Sequence, residues 1–250
     1  MTAEEIQPSS TGPGMAGAGE EGGRSVWQNF LDVVLEPSAT FEDVGRRPKW
    51  VIPLVVLIVA TVVTSFFLLP MFAELQELAL NRREMSDEQR EQAMRMVEII
   101  KWAGLVGAPI MVAFFTALFA LVFWAWGAIS GARNATFKIA FTALLYAGII
   151  ITLQSIAQAI VVAVKGAEQV ALEGGPPTFG LALFVERGDM GRLLWGLLAS
   201  VNFFSIWHAA VLAIAGIYAL KMSKGSATAF AVVMWLVGAL LFGLQAPPAG

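Results

Sequence analysis

Five apolar runs without a single charged residue divide the chain between residues 50 and 244. They cover residues 50–70, 103–130, 139–164, 193–220 and 227–244. All 35 Asp, Glu, Lys and Arg residues lie outside them. A helix of about 20 apolar residues crosses the roughly 30 Å hydrocarbon core of a bilayer. The pattern therefore predicts an all-α, polytopic membrane protein whose domain, residues 50–244, has five transmembrane helices.

The segment before the first run predicts a helix at the membrane surface. Residues 1–24 are rich in Gly, Ser, Pro and Glu, which is typical of a disordered tail. Residues 25–49 then hold an amphipathic interfacial helix and a turn-rich motif that leads into the first span. The apolar residues expected on one face of that helix are Val26, Trp27, Phe30, Leu31, Val33 and Val34. Pro37 should end it, and Ser38 or Thr40 should cap a second short helical turn before Gly45.

The remaining polar segments predict extramembrane structure. Residues 71–102 carry mixed charges at helical spacing, which favours a solvated helical hairpin. Ser86 and Gln89 have the spacing of a capping box, so a new helix is expected to start there and run into the second span. Residues 165–192 form an outer loop, and residues 245–250 form a short tail.

The charges of the short loops predict the orientation. The connections 131–138 and 221–226 carry only basic residues among their charges, whereas both loops on the opposite side are long and acidic on balance. Basic residues in short loops favour the cytoplasmic side. The amino terminus is therefore expected in the cytoplasm.

Composition excludes several classes of site. Hydrophobic residues make up 57% of the chain and charged residues 14%, well outside the balance of soluble domains. The net charge of −3 does not suggest a nucleic-acid partner. The chain has no cysteine and one histidine, so thiolate chemistry is excluded and a zinc site is not expected. We expect no cofactor and no metal.

Polar residues at membrane depth are the candidate functional residues. They form one group in the third run and one in the fourth, at similar depths in an antiparallel pair: Gln154, Ser155, Gln158, Asn202, Ser205 and His208. Helix-to-helix hydrogen bonding is the simpler interpretation, and a polar lining for a pathway or a bound headgroup is the alternative. His208 is expected to be neutral and bonded to a backbone carbonyl or another helix. Nothing in this spacing predicts catalytic geometry, so we do not expect an enzyme.

Several short motifs resemble the bacterial branch of the Yip-domain family. The positions that carry the resemblance are Pro37, Phe41, Pro48, Trp50, Pro53, Phe203 and Trp207. The resemblance implies five spans and a cytoplasmic amino-terminal segment, in a protein that is integral to a bacterial cytoplasmic (inner) membrane. Eukaryotic members are adaptors that engage small prenylated GTPases, but this chain lacks their Tyr-Gly-Pro-type motif. Many bacterial members carry Asp at the position of Asn202, so a role that requires a charge there is lost.

Together these observations predict a non-enzymatic membrane adaptor or scaffold of the Yip-domain type. Its expected partners are the lipid bilayer and a membrane or cytoplasmic protein of unknown identity, and a homo-oligomer is left open. The alternative is a small transporter or channel that uses the polar residues between the third and fourth spans.

Overall fold

The computed structural model describes residues 24–81, 86–173, 178–185 and 190–245. The predicted disordered tail, apart from residue 24, and all but the first residue of the short tail at 245–250 lie outside these ranges. So do parts of the predicted outer loop. Among the described residues the structure is helical and contains no β-strand.

Nine α-helices make up the described part of the chain. They are α1 (Val26–Leu35), α2 (Pro37–Arg46), α3 (Val51–Asn81), α4 (Asp87–Ile129), α5 (Phe137–Lys165), α6 (Ala167–Leu172), α7 (Arg192–Ser200), α8 (Phe203–Tyr218) and α9 (Lys224–Gln245). A 3₁₀ turn at Leu181–Phe184 precedes α7.

Four helices are long and apolar enough to cross a membrane. These segments are Val51–Leu78, Gly107–Ile129, Phe137–Lys165 and Lys224–Leu244. Their outer surfaces expose large apolar side chains such as Phe66, Ile110 and Phe114. In water such a surface would be unstable, whereas in lipid it needs no further partner. The protein is therefore an integral membrane protein.

The fourth predicted run is not one helix, and here the prediction was wrong. Val201 and Asn202 separate α7 from α8, and Asn202 adopts an extended backbone with φ −136° and ψ 165°. Asn favours this N-cap position because its side chain satisfies an amide at the start of the helix. The hydropathy pattern gives no sign of this break in the helix, because the residues on both sides of it are apolar.

The two short helices together run antiparallel to α9. Three contacts mark their path: Gly216 with Ala227, Ser205 with Trp235, and Gly196 with Gly243. At the break, the Leu181 amide donates to the Val201 carbonyl at 3.2 Å. The apolar segment 178–185 of the outer loop therefore packs directly onto the α7–α8 junction.

Of the predicted hairpin at residues 71–102, residues 82–85 lie outside the described ranges, and the rest consists of the ends of two long helices. Helix α3 continues through Pro70 to Asn81 instead of ending at the proline. Helix α4 begins at the predicted capping box, in which Ser86 Oγ accepts from the Gln89 amide and Gln89 accepts from the Ser86 amide. That prediction is confirmed, and α4 then runs without interruption to Ile129.

The helices α1 and α2 form a compact unit, which we call the amino-terminal cap, residues 24–47. Val33, Phe41 and Val44 are fully buried, and the cap packs against α5 and α8. The face predicted for α1 was wrong in part. Its inward side carries Val26 and Val33, which contact protein and not lipid.

The outward side of α1 is apolar as well. Trp27, Leu31 and Leu35 are 64%, 70% and 77% exposed.

The predicted cap at Ser38 or Thr40 does not form: α2 begins at Pro37, its N-cap is Glu36, and no side chain caps it. Proline is suited to the first helical position because the amide it lacks would have no intrahelical partner there.

Candidate functional site

A cavity of about 780 Å³ lies within the bundle at membrane depth. Helices α3, α4, α5, α8 and α9 supply its walls, together with Ser200 at the end of α7. Ser155, Ser205 and His208 of the predicted polar group line it. The other three do not: Gln154 and Gln158 are half-buried elsewhere on α5, and Asn202 lies at the helix break. The structure therefore brings together at the cavity only three of the six residues of the predicted polar group.

Asn202 has a structural role at the start of α8. Its Oδ1 accepts a hydrogen bond from the Ser205 amide at 2.9 Å, and its Nδ2 donates to the Ala199 carbonyl at 3.2 Å. The Ser205 hydroxyl donates to the Ser200 carbonyl, so a second hydrogen bond joins the first turn of α8 to the end of α7. An aspartate at position 202 would also cap the helix, because Asp and Asn are comparable N-caps. This role does not require a charge.

We expect Asn202→Ala to lower the free energy of unfolding by about 1 kcal/mol, because the capping bond is lost. Asn202→Asp should stay close to wild type. Reversible unfolding in mixed detergent, followed by tryptophan fluorescence, measures both. Equal losses for the two variants would contradict a capping role.

Several of the hydroxyl groups in the cavity wall are already hydrogen-bonded as donors. Thr64 Oγ1 donates to the Ala60 carbonyl at 2.8 Å, and Thr152 Oγ1 donates to the Gly148 carbonyl at 3.1 Å. Ser155 Oγ donates in the same way within α5. Such bonds to the preceding turn are the usual way that Ser and Thr are accommodated in membrane helices. What these oxygens still offer the cavity is acceptor capacity.

His208 differs from the expectation. Its imidazole forms no hydrogen bond with any described residue, although it was expected to bond to a carbonyl or another helix. The ring lines the cavity, where its neighbours include the apolar side chains of Ala209 and Leu212. The cavity thus contains one nitrogen heterocycle with unused hydrogen-bonding capacity.

A second polar group, which sequence reasoning missed, holds the cap to the bundle. Asn134 Nδ2 donates to the carbonyls of Gly45 and Ala219, each at 2.9 Å. Gly45 sits so close to Ala219 that an added Cβ would lie 2.9 Å from the Ala219 carbonyl oxygen. Loop residues such as Asn134 have no periodic signal, so only the fold reveals that this amide joins α2 to the end of α8.

Charged residues stabilise the outer surface of the cap. Asn29 is buried and donates to Asp43 at 2.9 Å. Arg24 donates to Asp32 and, at 2.9 Å, to Glu36. The hydrogen bond to Glu36 raises the pKa of Arg24, although burial opposes it. Arg24 therefore remains a permanent cation that ties the start of α1 to its end.

Most of the motif positions lie at the junction between the cap and the first span. Pro37, Phe41 and Pro53 are buried, and Trp50 packs edge-on against Phe141 with ring centroids 6.0 Å apart. Pro48 is half-buried, and Trp207 packs against the main core. Phe203, in contrast, is 73% exposed on the first turn of α8. These positions are thus mainly packing positions.

The chemistry available to the cavity is that of neutral hydrogen bonding. Among the residues that the structure describes, no charged side chain lines the cavity. Within the described ranges, no group of three or more His, Cys, Asp or Glu residues could hold a metal ion. The arrangement is suited to holding an apolar molecule with a small polar group.

Comparison with known proteins gave one finding. Residues 31–245 match the model of the Yip1 domain, which covers most of the chain from the middle of α1 to the end of α9. Neither the curated proteins nor the solved structures yielded a match. The matched region includes α2, the junction with the first span and all of the helices around the cavity. The chain therefore belongs to the Yip1 domain family.

Proposed function

We propose that this protein is a non-enzymatic membrane adaptor, a bacterial member of its family, whose amino-terminal cap binds a partner protein at the cytoplasmic face. The observation that carries the proposal is the outward row of α1: Trp27, Leu31 and Leu35, which we call the outer stripe. These residues are spaced by four positions, so they lie on one face of the helix. Exposed apolar rows of this kind mark contact sites.

The attachment of the cap supports a fixed contact surface. Val26 and Val33 on the opposite side of α1 are buried in the main core, and Asn134 ties α2 to the end of α8. A free amphipathic helix would use its whole apolar circumference to enter lipid. This helix has already used one side for folding, so the outer stripe is held at a defined place and angle.

The distribution of basic residues supports a cytoplasmic position for the cap. Asn134 connects the cap to both short loops at its end of the bundle, because it lies in one of them and contacts Ala219 beside the other. The basic residues at this end are Arg24, Arg46, Arg47, Lys49, Arg133, Lys138, Lys221 and Lys224. Short basic loops favour the cytoplasm. With α7 and α8 counted as one broken span, the topology has five crossings.

The test compares substitutions on the outer stripe with a matched change elsewhere. We expect Trp27→Ser combined with Leu31→Ser to reduce recovery of crosslinked protein partners from native membranes about tenfold or more, as loss of a tryptophan anchor typically does. Thermal stability should change little, because both side chains are exposed. Recovered partners are identified and quantified by mass spectrometry.

Phe184→Ser serves as the control, since Phe184 is 85% exposed but belongs to the segment 178–185 at the α7–α8 junction. It should leave partner recovery unchanged. Equal recovery with wild type and with the double variant would overturn the proposal. So would crosslinks from the outer stripe that reach only lipid.

A further inference from the structure

The cavity in the bundle has the dimensions of a site for one lipid chain. Its wall on α3 extends from Leu57 to Leu68, which is roughly 16 Å along the helix axis at about 1.5 Å per residue. That is about half of the thickness of the hydrocarbon core. A volume of about 780 Å³ falls within the range of small-molecule sites. Molecules at this depth of a bilayer are mainly lipids, so a lipid is the available ligand.

The absence of charge in the wall restricts the head group. Within the described ranges, the lining residues include aromatic, aliphatic and hydroxyl side chains and His208, but no Lys, Arg, Asp or Glu. Bringing an ionised head group into such a site without a counter-charge would be very costly. Phosphate and carboxylate head groups are thereby disfavoured, and a neutral head group is favoured.

The hydrogen-bonding groups of the cavity wall restrict the head group of the lipid further. Thr64, Thr152 and Ser155 have already donated their hydroxyl protons to backbone carbonyls, so they can only accept from a ligand. His208 has no partner among the described residues, and a neutral imidazole has one donor and one acceptor nitrogen. A ligand that satisfies both kinds of group must donate and accept. A hydroxyl group does both, whereas a quinone, an ester or an ether only accepts.

We propose that this cavity binds a neutral lipid alcohol, with the chain along the apolar wall and the hydroxyl group hydrogen-bonded to His208. Two sources share this chemistry: a diacylglycerol, with one of its chains inside, and a long-chain fatty alcohol. The inference goes beyond the adaptor function and does not depend on the outer stripe, so each can fail without the other.

The first experiment uses the full chain in lipid nanodiscs and a diacylglycerol that carries a photoactivatable diazirine in one acyl chain. We expect crosslinks, mapped by peptide mass spectrometry, on cavity-lining positions such as Thr61, Phe119 and Met234. Crosslinks confined to outward-facing positions such as Phe66 and Phe114 would overturn the proposal.

The second experiment fills the cavity. Gly238 lines it, and a Cβ added there would meet nothing within 4 Å, so Gly238→Leu introduces volume without a backbone clash. Gly107→Leu is the matched control: a Cβ on Gly107 also meets nothing within 4 Å, Gly107 belongs to a membrane-spanning segment, and it does not line the cavity. We expect Gly238→Leu to reduce crosslinking at the cavity at least about fivefold and Gly107→Leu to leave it unchanged. Equal crosslinking in both variants would contradict a site in this cavity.

The third experiment tests the head group. His208→Leu should weaken crosslinking about fivefold to tenfold through the lost hydrogen bond, and His208→Gln should restore part of it. Size-exclusion profiles confirm that both variants are folded. If His208→Leu crosslinks as well as wild type, the assignment of the hydroxyl group to His208 is wrong.

Competition distinguishes the two sources. Unlabelled diacylglycerol that displaces the probe at a lower concentration than hexadecanol identifies the glycerolipid, and displacement by hexadecanol at the lower concentration identifies the fatty alcohol. The methyl ether of each alcohol should compete poorly, since it cannot donate. Competition by phosphatidylglycerol that equals the competition by both alcohols would overturn the proposal.

Discussion

Phe41→Ala is expected to lower the free energy of unfolding by about 3–5 kcal/mol, the usual cost of removing a buried phenylalanine side chain. Phe41 is completely buried at the centre of the cap, where α2 packs on α8. The cavity left behind cannot collapse easily, because the Gly45 backbone already touches Ala219. The loss should therefore appear mainly as detachment of the cap from the bundle.

Two measurements separate detachment from general unfolding. Detergent-induced unfolding, followed by tryptophan fluorescence, gives the total loss, and trypsin cleavage after Arg46 or Lys49 reports release of the cap. Leu31→Ala is the control, since Leu31 is 70% exposed on the same unit and should change stability by less than about 0.5 kcal/mol. If Phe41→Ala resembles Leu31→Ala in both measurements, the cap is not held by its buried face.

Gly196→Ala is expected to have the second largest effect, a loss of about 1–3 kcal/mol, which is typical of overpacking. A Cβ at position 196 would lie 2.6 Å from the Gly243 backbone nitrogen and in contact with its Cα. Neither atom belongs to a side chain that could rotate away, so α7 and α9 must separate. Because α7 packs on α9 and carries the loop segment at the helix break, the change should also loosen residues 178–185.

Gly238→Ala on α9 is the matched control. A Cβ there meets nothing within 4 Å, and alanine is the better helix former by up to about 1 kcal/mol. It should be neutral or slightly stabilising in the same unfolding assay, with hydrogen exchange reporting on residues 178–185. A Gly196→Ala variant as stable as Gly238→Ala would show that the two helix backbones do not touch.

Both predictions involve a glycine that lets one helix backbone approach another element closely. Gly45 lets α2 approach the end of α8. Gly196 lets α7 approach α9 beyond the break at Asn202. In lipid there is no hydrophobic force to press helices together, so close packing supplies much of their association. The small size of the residues at these contacts therefore contributes directly to helix association.

The membrane character and much of the helix register were predictable from the sequence. A run of apolar residues must bury its backbone polar groups in hydrogen bonds of its own when it enters lipid, and only a helix does that within one segment. The capping box at Ser86 is equally local, since Ser86 and Gln89 need only each other. Positions such as these depend on composition and on neighbours within one turn.

The candidate site was only partly predictable. Ser155, Ser205 and His208 were singled out because polar side chains in apolar runs are conspicuous, and in the structure they line one cavity. A functional role for them stays a prediction. The position of a residue within its span does not show which way its side chain points. Gln154 and Gln158 were therefore grouped with these residues, although they do not line the cavity. Rotation of a helix about its own axis is set by its neighbours, which sequence spacing does not reveal.

What the sequence by itself determined is that this protein lives in a membrane as a set of helices, because burial of apolar side chains and satisfaction of backbone hydrogen bonds are decided segment by segment. The tertiary structure alone decided three things: which side of α1 faces the protein, that Asn134 joins the cap to the bundle, and that five helices line a cavity beside His208. Each depends on contacts between residues far apart in the chain. The energies of such contacts are set by the fit of surfaces that no single segment contains.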